Sequence, residues 1–156
     1  MCADIQLAET PGQFDAAGQL VRAYAQCLGL DLEFQGFSDE LNSLSSLYGP
    51  PRGALFLAER HGEPVGVVGL RELGAGVAEM KRMYVLEQHR GAGIGQALTR
   101  AVLTHAQELG YRAVRLDSIR ELESALRLYR DFGFREIAPY RFNPYPGAVF
   151  MEYTIS

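Results

Sequence analysis

The chain has no tryptophan, and its 156 residues include only two cysteines. Cys2 and Cys27 cannot form a disulfide framework, and neither lies at metal-ligand spacing from other ligating residues. Their readings are a frayed terminus and a helix-core position, which suits a reducing compartment. No stretch approaches the roughly 20 apolar residues that span a bilayer. The start, Met1-Cys2-Ala3-Asp4-Ile5, lacks the basic and then apolar regions of a secretory signal. No basic stripe or tail is present, which disfavours nucleic acid as a partner. A cytoplasmic protein without membrane or nucleic-acid partners is the expectation.

What is present is ordinary globular composition, 47% apolar and 22% charged, at a length suited to one domain over residues 1–156. The net charge of −4 hides an asymmetry. Residues 1–50 carry seven acids and only Arg22 as a base, whereas the remainder has a small basic excess. Such halves could set an anionic cofactor beside a cationic acceptor, or serve only surface solubility. Oligomeric state is not readable; a homodimer is allowed without being indicated.

Periodicity and punctuation yield the elements. Ile5 and Leu7 alternate with polar neighbours as a short strand. Thr10-Pro11-Gly12-Gln13 predicts a helix start with a capping box, followed by Phe14, Ala17, Val21, Tyr24 and Leu28 at helical spacing and by Gly29 as a stop. Ser38 is expected to cap a second short helix carrying Leu41, Leu44 and Leu47, ended by Gly49-Pro50-Pro51. Residues 54–60 and 64–72 read as strands about a hairpin turn at His61-Gly62-Glu63, and 77–86 as a third long strand. A helix opens after Gly91-Ala92-Gly93-Ile94-Gly95, with Ile94, Ala97, Leu98, Ala101, Val102 and Leu109 on one face. Residues 112–118 form a strand, and Ser118-Ile119-Arg120-Glu121 reads as a second capping box. The helix that follows carries Leu122, Ala125, Leu126, Tyr129 and Phe132 and stops at Gly133. Residues 134–142 and 148–155 close the chain as strands. The order is β-α-α-β-β-β-α-β-α-β-β: an α+β mixed sheet, largely antiparallel, with one strand–helix–strand crossover.

The glycine-rich turn carries the chemistry. Glycines at a strand-to-helix junction admit a ligand close to the backbone, and the free amides at the positive helix end favour an anion. A P-loop needs Gly-Lys-Ser/Thr, but Gly95 is followed by Gln96-Ala97. A dinucleotide fingerprint needs a third glycine at Gln96 or Leu98 and a strand running directly into the turn; both conditions fail.

What survives is Arg90-x-x-Gly93-x-Gly95 after a strand ending in Tyr84-Val85. Here the sequence resembles the GCN5-related N-acetyltransferases (GNAT), whose CoA signature is Arg/Gln-x-x-Gly-x-Gly/Ala. Glu79-Met80-Lys81-Arg82-Met83-Tyr84-Val85 resembles that family's fourth strand. Ala125, Leu128-Tyr129 and Gly133-Phe134 resemble its later Ala-x-x-Leu-Tyr-x-x-x-Gly-Phe segment, and the element order matches over nearly the whole chain. The resemblance implies a GNAT-like fold with splayed fourth and fifth strands and acetyl-CoA as cosubstrate, without a metal. It implies that amides of Arg90, Gly91, Ala92, Gly93, Ile94 and Gly95 hold the pyrophosphate. Backbone groups of Met83 and Val85 would meet the pantetheine arm, and an amide near Tyr84 would polarise the thioester. Many members carry Asn seven residues before the tyrosine; this chain has Leu122, so that contact is either missing or supplied by Ser118 or Ser124.

For catalysis the resemblance implies Glu79 as a base acting through water and Tyr129 as acid for the leaving thiolate. The competing readings are a strand carboxylate paired with Lys81 or Arg82, and a core tyrosine. A bulge in the fourth strand would free backbone groups and re-aim Glu79. His105 reads as a packing histidine and His89 as a solvated loop histidine, with contact to a phosphate as its alternative reading. Ser45-Ser46 has no neighbouring base, so a serine nucleophile is unsupported. The function expected is acetyl transfer to a primary amine of a small molecule, amino acid or peptide by direct attack in a ternary complex. The alternative is a noncatalytic acyl-CoA sensor. Phe34, Phe37, Tyr140, Phe142 and Tyr145 are candidates for lining the acceptor pocket.

Overall fold

A computed structural model of the chain describes residues 3–29, 39–40 and 43–155. The expectations for Phe34, Phe37, Ser38 and Leu41 lie outside these residues. The elements are β1 (Asp4–Leu7), α1 (Pro11–Leu28), α2 (Leu44–Leu47), β2 (Ala54–Arg60), β3 (Glu63–Gly74), β4 (Val77–Val85), α3 (Ile94–Glu108), β5 (Ala113–Ile119), α4 (Glu123–Phe132), β6 (Arg135–Ile137) and β7 (Ala148–Thr154). They follow the expected order.

The seven strands form one sheet in the order β1-β2-β3-β4-β5-β7-β6, antiparallel except for the β4–β5 pair. Two-residue turns join β2 to β3 at His61-Gly62 and β3 to β4 at Ala75-Gly76, all four residues at positive φ. That conformation matches the twist of flanking strands and makes tight hairpins. The parallel β4–β5 pair cannot be joined by a tight turn, and α3 supplies the crossover.

Each face of the sheet buries its own core. Along β2, Leu55 and Leu57 join Ala17, Val21, Leu44 and Tyr48 beneath α1 and α2. Phe56 and Ala58 point the other way, with Met80, Leu98, Val102, Leu126 and Tyr129 beneath α3 and α4. At the start of α1, Thr10 Oγ1 accepts from the Gln13 amide at 3.2 Å while Gln13 Oε1 accepts from the Thr10 amide at 3.0 Å. Thr10→Ala is therefore expected to cost about 1 kcal/mol in chemical denaturation.

Two expectations are corrected. The strand expected over 134–142 is only Arg135–Ile137. Pro139 cannot donate to a ladder, and the chain leaves the sheet there, so Tyr140 and Arg141 fold back towards β4. The capping box expected at Ser118–Glu121 does not form: β5 runs on to Ile119, and Leu122 caps α4 without a side-chain bond. Pairing of Ser118 with Val149 keeps that serine in the sheet.

Two irregularities in β4 shape the centre of the sheet. Val67 opposes Tyr84 and Gly69 opposes Lys81, so Arg82 and Met83 together face Val68. This is a bulge, with Arg82 at φ 62°. The β4–β5 ladder also stops at Glu79↔Arg115, although both strands continue. Beyond that pair the strands part.

Candidate active site

The glycine turn sits just past the end of β4. A short 3₁₀ turn, Glu87–His89, leads into Arg90, and α3 begins at Ile94. Gly91 and Gly93 adopt φ 83° and 82°, a left-handed backbone that side chains disfavour. A Cβ at Gly91 would meet nothing within 4 Å, so the turn presents bare backbone on its outer side. Gly93 is the N-cap of α3 and offers no side-chain cap to the first-turn amides. Those amides lie at the positive end of a long helix, which fits a phosphate-bearing ligand. Gly95 serves another purpose: a Cβ there would lie 3.3 Å from Leu128 Cδ2, so its absence lets α4 approach α3. Ala92 is exposed, whereas the Ile94 side chain is buried in the core, leaving only its backbone to face a ligand. The Arg90 guanidinium donates through Nε to the Val85 carbonyl at 2.8 Å and lies over the Tyr84 ring at 5.5 Å. It ties the turn to the strand end.

Met83 and Val85 pack towards α3 and α4, while Tyr84 faces α1 and meets Tyr24 edge-on at 6.0 Å. Residues 80–85 have β3 on one side and no ladder with β5 on the other. Tyr129 is buried in the α3/α4 core against Phe134, ring centres 5.7 Å apart. Burial, and then Tyr24, raise its phenol above the ordinary value.

Glu79 lies at the last β4–β5 pair, with no exposed surface. Its Oε1 accepts from Arg71 Nε at 3.1 Å and lies 4.0 Å from Lys81 Nζ. Its Oε2 accepts from the Tyr140 hydroxyl at 2.6 Å and from Arg141 Nη2. Burial alone would raise this carboxyl, but Lys81, Arg141, Tyr140 and Arg71 outweigh it and hold the pKa below the ordinary value. Lys81 goes the other way: burial dominates over the attraction of Glu79 and lowers it to about 8. Arg82 does not join this group. It donates to both Glu40 oxygens, at 2.6 and 2.9 Å, and the bulge that places it beside Glu40 leaves Glu79 in regular register. The expected pairing of Glu79 with Lys81 is present, that with Arg82 is not, and the bulge re-aims Arg82 instead of Glu79.

The register extends the pattern across the sheet. Arg71, Glu79, Arg115, Glu152 and Arg135 stand opposite one another on β3, β4, β5, β7 and β6, alternating in sign. Arg115 and Glu152 form an ion pair at 2.7 Å. The sequence reading did not find Arg71, Arg141 or Glu40. It named Tyr140 only as a pocket aromatic. Phe142 is largely exposed and Tyr145 half-buried, in the loop leading to β7.

A model of the acetyltransferase (GNAT) family matches residues 19–134. An uncharacterised N-acetyltransferase of Schizosaccharomyces pombe is 38% identical over 154 residues, covering 97% of this chain and 94% of its own. The chain belongs to the acetyltransferase (GNAT) family. It is an acyl-CoA-dependent N-acetyltransferase. The GNAT fold is shared with a Staphylococcus aureus Mu50 acetyltransferase, TM-score 0.80 at 22% identity, over 98% of this chain and 100% of that one. It is also shared with a Bacillus anthracis acetyltransferase solved with acetyl coenzyme A, TM-score 0.62 at 20% identity, over 70% and 66% of the two chains.

In this GNAT enzyme Leu122 is the N-cap of α4, and Ser124 is exposed in the first turn of that helix. Ser118 is half-buried within β5, which leaves Ser124 the more accessible of the two. His105 packs edge-on against Phe56 at 5.5 Å, the packing histidine expected. His89 Nδ1 lies 3.4 Å from Arg60 Nη1. Among the described residues no cluster of His, Cys, Asp and Glu could hold a metal, and no helix is long and apolar enough to cross a membrane.

Proposed function

We propose that this enzyme transfers the acetyl group of acetyl-CoA to a primary amine by direct attack in a ternary complex. The observation that carries this reading is the opening where β4 and β5 part, with bare glycine backbone near one end and a buried polar cluster beside it. Amides of residues 90–95 hold the pyrophosphate, supported by the left-handed Gly91 and Gly93. Backbone groups of Met83 and Val85 meet the pantetheine arm along the side of β4 that β5 leaves unladdered, Ser124 contacts it from α4, and the Tyr84 amide polarises the thioester. Tyr129, whose raised pKa keeps it protonated, donates a hydrogen bond to the departing sulfur.

Proton removal from the amine is assigned by the state of the two candidates. Glu79 was the expected base, but both its oxygens are occupied and its proton affinity is low. Lys81, lowered to about 8, is better poised to accept a proton near neutral pH. Its neutral fraction rises through that value, so kcat should climb with pH about a midpoint near 8. Lys81→Arg should flatten that limb, because arginine stays charged. Glu79→Gln should shift the limb towards acid, since Glu79 raises Lys81; an unmoved limb with kcat lowered about 10²–10⁴-fold would instead make Glu79 the base. The first test is release of CoA thiol from acetyl-CoA across a panel of primary amines. Tight acetyl-CoA binding with no release from any amine would establish the noncatalytic sensor instead.

A further inference from the structure

Two arginines and a lysine meet at Glu79. Arg71, Lys81 and Arg141 converge on one carboxylate, and the next acid to act on Lys81 is Asp117. The neighbouring cations are matched separately, Arg82 by both oxygens of Glu40 and Arg115 by Glu152.

The cluster is also open on one side. Glu79 has no exposed side-chain surface, but Arg71 and Arg141 keep 24% and 20% of theirs. Each guanidinium turns part of its fork to Glu79, and a guanidinium carries five donors. Arg71 bonds Glu79 through Nε. Arg141 bonds it through Nη2, and its own Nε is buried without a partner. Donors of both arginines therefore remain for another planar anion, which arginine meets through paired hydrogen bonds. The position is where an acceptor would stand: the last β4–β5 pair, on the face that carries Lys81 and Tyr84.

We propose that the acceptor carries a carboxylate near its amine, as an amino acid does, and that Arg71 and Arg141 hold that carboxylate. The inference rests on the transferase reading above. Binding the carboxylate there lets Arg71 and Arg141 fix the amine's approach to the thioester. The two residues are specificity determinants for the acceptor and take no part in proton transfer.

The test compares matched acceptors on the wild-type enzyme: a set of amino acids, their carboxamides, and their decarboxylated amines. The carboxylate-bearing members are expected to show kcat/KM at least about tenfold above their matched neutral partners. Arg141→Gln should raise KM for the amino acids by a similar factor and narrow the gap between them and their carboxamides. Arg71→Gln provides the same comparison if the first variant does not fold. Peptides with a free C-terminus but a distant amine form a further arm; preference for them over amino acids would move the carboxylate away from the amine and overturn the proposal. Equal or better turnover of the neutral partners would overturn it while leaving the transferase reading intact. Absence of CoA release from every amine would reject both.

Discussion

Glutamine at position 79 is expected to lower the unfolding free energy by about 3–5 kcal/mol, the range for breaking a buried charge cluster from one side. An amide has one acceptor oxygen and a donor NH₂ in place of two acceptor oxygens. Whichever way it turned, it would set an N–H group against either Arg71 or the Tyr140 and Arg141 pair, all donors to Glu79 now. An exposed ion pair would lose less than about 1 kcal/mol on the same change. The pH dependence gives a second signature. Glu79 titrates below its ordinary value of 4.5, so its contribution is present above that value and is lost as pH falls through the folded one. The gap between wild type and Glu79→Gln should therefore close in acid. Lys81 acts at the other end: lowered from 10.5 to about 8, it binds fewer protons folded than unfolded between those values, and stability should rise with pH there. Urea denaturation of both proteins from acid to alkaline pH measures both effects. A loss under about 1 kcal/mol with parallel pH profiles would mean that Glu79 does not anchor the cluster. A double-mutant cycle with Arg141→Gln should return a coupling energy of about 0.5–3 kcal/mol.

That cluster also marks where sequence reading stops. The element order was legible because several boundaries have a local cause: the Thr10–Gln13 capping box, the left-handed Gly29 and Gly133, and the glycine turn before α3. The partners of Glu79 depend on register, which is not local. Counting back regularly from the Ala75-Gly76 turn would set Glu72 opposite Glu79, two like charges. An irregularity between Glu72 and Gly74 shifts the pairing by one and brings Arg71 there instead. Arg141 is hidden for a similar reason, since strand-like composition ran through Pro139 and concealed the return of the loop to β4. The false capping box at Ser118 shows the opposite error, a local motif overruled by pairing with Val149. The glycine signature needed no tertiary information, because it is a run of consecutive residues.

Valine at position 93 is expected to weaken acetyl-CoA binding at least about tenfold, or about 1.4 kcal/mol, in a protein that still folds. Two effects combine. Gly93 holds φ 82°, and a β-branched residue in that conformation is strained by roughly 1–3 kcal/mol, which pulls the turn away from its present path. The added side chain also occupies space beside the first-turn amides, whose value to an anion depends on close approach. Gly95→Ala is the informative control. Its Cβ would press on Leu128 Cδ2 at 3.3 Å, so it should lower thermal stability through the α3–α4 contact while changing affinity less. Gly91→Ala separates strain from contact, because its φ of 83° is equally unfavourable while a Cβ there meets nothing within 4 Å. If the amides cradle a phosphate, wild-type affinity should fall as ionic strength rises, and the Gly93→Val loss should narrow as electrostatic attraction is screened. Calorimetric titration of the folded variants at two salt concentrations makes the comparison. Unchanged affinity in folded Gly93→Val would remove the turn from the binding site and return its glycines to a purely structural role.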